Sequence, residues 1–141
     1  MVNIIYSFNK EVHIHSGDKE EIYRGQSYEY INELCMMEGT TLDGKIKASK
    51  SLLPGCNKLP IYIARLEDFL IPLGAPKSKD CIWISANNYL TCYEKDQKFY
   101  IKFIDKSVVE VIFSAFTIKK QYLKYRRLRK KIEEMRTKYD F

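Results

Sequence analysis

The densest chemistry in this chain is cationic. Lys119, Lys120, Lys124, Arg126, Arg127, Arg129, Lys130 and Lys131 all fall within one short stretch near the C-terminus. Lysine and arginine at that density can neutralise successive phosphates of a polyanion and release its condensed counterions, the main source of sequence-independent affinity for nucleic acid. Arginine can also enter a narrow A/T-rich minor groove, where the potential is most negative. A smaller cluster, Lys45, Lys47 and Lys50, follows Gly44. A backbone turn flanked by lysines can hold a phosphate, and a plain surface turn is the competing reading.

Other chemistries find less support. His13 and His15 lie two residues apart on what reads as the outward face of a strand, a spacing that can bind metal. No Cys or carboxylate pair lies close by in sequence to complete a site, so neither a metal nor another cofactor is expected. The chain has two histidines, no GxSxG, no P-loop and no HExxH, and its acidic residues are scattered or sit in runs such as Asp18-Lys19-Glu20-Glu21. No catalytic residue, and no enzyme, is expected. Cys35, Cys56, Cys81 and Cys92 contain no CxxC pair and read as free, mostly buried thiols of a reducing compartment.

The cationic residues need an element to hold them. From Thr117 to Tyr139 there is no Gly or Pro and there are few β-branched residues, which predicts a helix. Ile118, Tyr122, Tyr125, Leu128, Ile132, Met135 and Tyr139 recur every three or four residues and form an apolar stripe along it. Lys119, Arg126, Arg127 and Lys130 fall opposite, with Lys120, Lys131 and Lys138 beside them. From residue 117 onward the chain has ten Lys/Arg and three Asp/Glu; the remainder is nearly neutral, although the whole carries +6. Charge segregated in this way implies a polyanionic partner, nucleic acid before membrane. The stripe fits docking on a sheet, pairing with a second copy as a homodimer, or binding another protein. That last option makes a protein-interaction module the alternative function.

The rest reads as one β-rich domain. Val2–Phe8 alternates with Val2, Ile4, Tyr6 and Phe8 on one side; Glu11–Ser16 places Val12 and Ile14 inward. A helix from an N-cap at Ser27 to about Glu38 turns Tyr30, Ile31, Leu34, Cys35 and Met37 inward and ends at Gly39. Asp43–Leu53 reads as a short helix or a turn-rich segment. Leu59–Ala64 and Asp68–Leu73 read as strands, and Pro72 to Pro76 as a loop. Asp80–Tyr93, Gln97–Ile104 and Ser107–Phe113 read as an antiparallel meander. Trp83 belongs to the core, and Tyr28, Tyr30, Tyr62, Tyr89, Tyr93 and Tyr100 to half-buried strand or helix faces. The predicted class is α+β: a mostly antiparallel sheet, a small N-terminal helical layer and a long basic C-terminal helix. The longest apolar runs, such as Ile61 to Ala64, are too short to cross a bilayer, and the N-terminus lacks the basic start and apolar run of a signal peptide. A cytoplasmic protein with no membrane partner is expected.

Several blocks in order carry a family resemblance. They are Lys58-Leu59-Pro60-Ile61-Tyr62-Ile63, Ile71-Pro72, Asp80-Cys81-Ile82-Trp83-Ile84, Tyr93, and the strand ending Ile101-Lys102-Phe103. Upstream, Cys35 through Gly39-Thr40-Thr41-Leu42-Asp43-Gly44-Lys45 fits the same order; downstream, Ser114 to Gln121 leads into the basic region. Over roughly Cys35 to Leu128 the chain resembles the ComK family of competence transcription factors. That resemblance implies DNA binding and transcriptional activation at A/T-rich promoter sites. Thr40, Thr41, Leu42 and Lys45 depart from the residues more typical of the family.

Overall fold

The computed structural model describes residues 2–139. The first three strands are β1 (Ile4–Phe8), β2 (Glu11–Ser16) and β3 (Lys19–Arg24). Asn9 and Lys10 both take positive φ, the backbone of a tight two-residue hairpin, and Gly17 does so at the next turn. Helices α1 (Ser27–Met36) and α2 (Leu42–Leu52) follow, then β4 (Ile61–Ile63), a 3-10 turn, β5 (Asp68–Leu73), β6 (Ile82–Ser85), β7 (Tyr89–Lys95), β8 (Lys98–Phe103), β9 (Val108–Val111) and α3 (Ala115–Lys138). The α+β expectation is met.

Six strands form one antiparallel sheet in the order β3-β2-β1-β6-β5-β4, and β7-β8-β9 form a second. Alternation gives the large sheet two apolar faces. Ile5, Val12, Ile14, Ile61, Ile63, Leu70 and Trp83 pack under α1 and α2, against Ile31, Leu34, Cys35 and Leu42. Ile4, Ile71, Leu73 and Ile84 pack on the other side against Cys92, Ile101, Phe103 and Val111 of the small sheet and Ile118 and Tyr125 of α3. The result is three layers, with the large sheet in the middle. Burying both faces explains why β1 is apolar at Ile4 and Ile5 alike, where a one-sided alternation was expected.

Other differences have physical reasons. β3 escapes the periodicity argument because every one of its residues is exposed; it is an edge strand blunted by Lys19, Glu20, Glu21 and Arg24. His13 is buried, not outward, since Tyr6 stacks on its ring with centroids 5.1 Å apart. The N-cap of α1 is Gln26, which forms a capping box with Glu29, so Ser27 starts the helix proper. Met37 lies past the last turn of α1 and is exposed. The stretch Asp80–Tyr93 breaks at Ala86–Asn88: β6 joins the large sheet and β7 the small one. The meander is therefore β7-β8-β9, with Asp96 and Gln97 at positive φ in its first turn.

Pro72, where the expected strand Asp68–Leu73 and the expected loop overlap, is inside β5, opposite Trp83. β4 pairs only as far as Leu70, so on that side Pro72 is at an edge and its missing N–H costs no ladder bond. Beyond it, Gly74 takes φ +100 where an added Cβ would stand 3.3 Å from the Phe113 ring.

Candidate nucleic-acid interface

α3 begins where Ser114 Oγ accepts the Thr117 N–H at 3.2 Å. Its 24 residues span about 36 Å. Ile118, Gln121, Tyr125 and Leu128 are buried against β5 and β7, and Leu128 meets Leu53 and Leu59 of the segment after α2. Tyr125 packs edge-on to Phe69 at 5.3 Å and Tyr122 lies 4.6 Å from Tyr89. The apolar stripe is thus used in packing as far as Ile132. Its last members, Met135 and Tyr139, are exposed, as is every residue from Glu133 to Tyr139, so the end of the helix extends past the body.

The position that organises this surface is polar. Gln121 is buried on the packed face of α3, and its Nε2 donates to the carbonyls of Lys58 and Pro72, each at 2.7 Å. Two carbonyl acceptors at one nitrogen assign the amide's NH2 group to that position. One side chain therefore ties α3 both to the sheet and to the loop that carries Lys58. That loop residue is in the left-handed region, at φ 53. Next to it, Lys124 Nζ donates to the Asn57 carbonyl at 2.8 Å and Arg127 approaches Cys56 Sγ at 3.9 Å.

Cations converge here. Burial lowers the pKa of the Lys124 ammonium, and repulsion from Lys120, Lys58 and Arg127 adds to this, against an opposing pull from Cys56. Burial is the larger cause, and an anion bound beside these cations would relieve the part that their mutual repulsion contributes. At ~100° per residue, Lys120, Lys124, Arg127 and Lys131 form one row along the flank of α3 that faces this loop. The row covers about 16 Å, comparable to the axial rise of about five phosphates on one DNA strand. Across the loop from it, Lys47 and Lys50 of α2 line a groove with Ile46, Asn57, Lys58, Pro76 and Lys77. Among the described residues Lys47, Lys50, Lys58, Lys120, Arg127 and Lys131 have no ion-pair partner, whereas Lys77 pairs with Asp43.

The other sequence-predicted cations go elsewhere. Lys119, Arg126 and Lys130 occupy the outer flank of α3, exposed and turned away from the loop. Arg129 is engaged locally, bonded to Tyr125 Oη at 3.2 Å and Glu133 at 3.1 Å. Lys45 is separated from Lys47 and Lys50. It pairs with Glu38 at 2.9 Å and lies 6.0 Å from the Tyr62 ring centroid, with most of its side chain covered. Gly44 lies inside the first turn of α2, where an added Cβ would stand 2.3 Å from Thr40 Oγ1. The phosphate-holding turn anticipated there is a helix start. Lys58 and Gln121 were not singled out from sequence. A glutamine between the apolar positions of a helix stripe was the available signal, because a buried amide demands partners.

No helix among the described residues is long and apolar enough to cross a membrane. A family profile described as ComK protein matches residues 4–137, nearly the whole chain. Neither a curated protein nor a solved structure gives a significant match.

Proposed function

The chain belongs to the ComK family of competence transcription regulators, and on that premise we propose that it docks double-stranded DNA through the loop-facing flank of α3. One observation carries this reading: Lys124 and Arg127 of α3 both reach the loop that presents Lys58, which Gln121 ties to the helix, so cations from two separate segments share one surface. Lys131 continues the row, and Lys47 and Lys50 extend it across α2. Phosphate contacts of this kind position a protein on the duplex without reading sequence. Preference for A/T-rich sites is part of the proposal; exposed Arg127, in the loop-facing row, has the length and charge to enter a narrowed minor groove. The test compares A/T-rich and G/C-rich duplexes of equal length by fluorescence anisotropy at ~50 and ~200 mM salt. Tighter A/T binding that persists at the higher salt is expected. No binding to either duplex at ~50 mM overturns the reading.

A second reading, attachment of a partner protein or a second copy, rests on the apolar residues left outside. Ile112 is 81% and Phe116 77% exposed, and Leu123 is exposed among the cations of α3. Leu128, at 1%, belongs to the core and is excluded as a contact residue. On this reading Phe116→Ser with Leu123→Ser abolishes a concentration-dependent dimer or a stable complex while DNA binding persists. A wild-type chain that sediments as a monomer at every concentration removes the homodimer.

A further inference from the structure

We propose that His13, His15 and Glu20 form a binding site for a divalent transition-metal ion of the kind that prefers imidazole and carboxylate. Neither the DNA-docking surface nor the core packing uses this group. His13 and His15 are on one face of β2, and the β2–β3 register puts Glu20 directly opposite His15 and diagonal to His13. His15 Nε2 is 2.6 Å from Glu20 Oε2 and His13 Nδ1 is 3.5 Å from Glu20 Oε1. One ligand atom from each of the three residues lies within 4.8 Å of the other two. Ligand atoms around tetrahedral zinc at ~2.0–2.1 Å stand about 3.3 Å apart, so small side-chain rotations on a fixed backbone suffice.

A separate observation marks the site as unfinished. His13 is only 9% exposed, yet neither of its ring nitrogens has a hydrogen-bond partner among the described residues. Buried polar atoms are normally paired, and an orphaned imidazole nitrogen facing a carboxylate and a second imidazole is what a metal would satisfy. Tyr6 stacks on both rings, at 5.1 and 5.5 Å, and fixes their planes. Its hydroxyl is 3.1 Å from His15 Nε2, a hydrogen-bond neighbour of the site. Three protein ligands leave one position open to water.

The ion would have a structural consequence. β3 is a sheet edge with all six residues exposed, attached through its pairing with β2. A bond from Glu20 to a metal shared with His13 and His15 would fasten that edge to the buried part of the sheet. Binding free energy would then appear as added stability.

The experiment uses the full chain with its thiols reduced, stripped of metal and titrated with Co2+, followed by Zn2+ competition against a chromogenic chelator. Expected are one Co2+ per chain, displacement by Zn2+, and visible d–d bands without a thiolate charge-transfer band. Zn2+ should raise the melting temperature. Glu20→Gln and His15→Gln, both at partly exposed positions, should each weaken binding at least tenfold while the circular dichroism of the metal-free chain is unchanged. Lack of saturable binding, binding unaltered in both variants, or a thiolate band assigning the metal to the cysteines overturns the proposal.

Discussion

Replacing Lys120, Lys124, Arg127 and Lys131 together by Gln removes the loop-facing row of α3 without touching its buried face. Each phosphate contact contributes a slope of ~0.9 to the fall of log K with log salt, so four contacts account for about 3.6. Between ~50 and ~200 mM salt one contact costs about 3.5-fold in affinity and four cost about 150-fold. The wild type should therefore lose roughly two decades more affinity over that range than the variant does. The control is Lys119, Arg126 and Lys130→Gln, which removes exposed charge of the same helix from the other flank. Anisotropy titrations at four or more salt concentrations give each slope, and circular dichroism checks the helix. A quadruple variant whose slope stays within ~1 of wild type refutes the docking surface. So does an outer-flank triple with a loss per removed charge as large as the quadruple's.

Further predictions concern the residues that hold this surface together. Gln121→Leu leaves the Lys58 and Pro72 carbonyls without their donor and should cost about 2–4 kcal/mol, read by urea denaturation, with DNA affinity falling as the Lys58 loop loosens. Glu38→Gln tests the pair with Lys45. Burial pushes the Glu38 carboxyl up, but the Lys45 ammonium and the Ala64 N–H outweigh it and hold the group below its usual value. A carboxyl lowered by folding adds stability above its unfolded value of ~4.3 and loses it as pH falls through the folded value. Glu38→Gln should thus melt a few degrees below wild type at pH ~7, a loss of about 1–2 kcal/mol, and the gap should close in acid. In native protein, alkylating reagents should reach Cys56 first, because Cys35, Cys81 and Cys92 are buried and burial pushes the Cys81 thiol up to about 12. Bound duplex should slow the Cys56 reaction several-fold, measured by mass spectrometry, since its sulfur faces Arg127; unchanged labelling would place DNA elsewhere.

Features with a local cause were legible in the amino-acid order. The long basic helix follows from a run of good helix formers with a 3.6-residue apolar repeat, and its first half packs as that repeat requires. The β7-β8-β9 meander follows from alternation with short polar links, and the core position of Trp83 from its apolar strand. Segregation of charge into the C-terminal element is a property of the sequence itself.

What tertiary structure decided is which distant residues meet. An all-exposed strand such as β3 carries no apolar period, so neither its existence nor the arrival of Glu20 beside His13 and His15 could be read from local order. Lys45, Lys47 and Lys50 look equivalent in sequence, but Glu38 takes the first and leaves the others to line the groove beside Asn57 and Lys58. The ten cations of the helix likewise look interchangeable until the Lys58 loop docks against one flank, held by Gln121 across 63 residues of chain. Periodicity constrains the direction a side chain takes from its own element. Electrostatic fields and ligand sets depend on separations of a few ångströms between elements, and only the packing of the layers sets those.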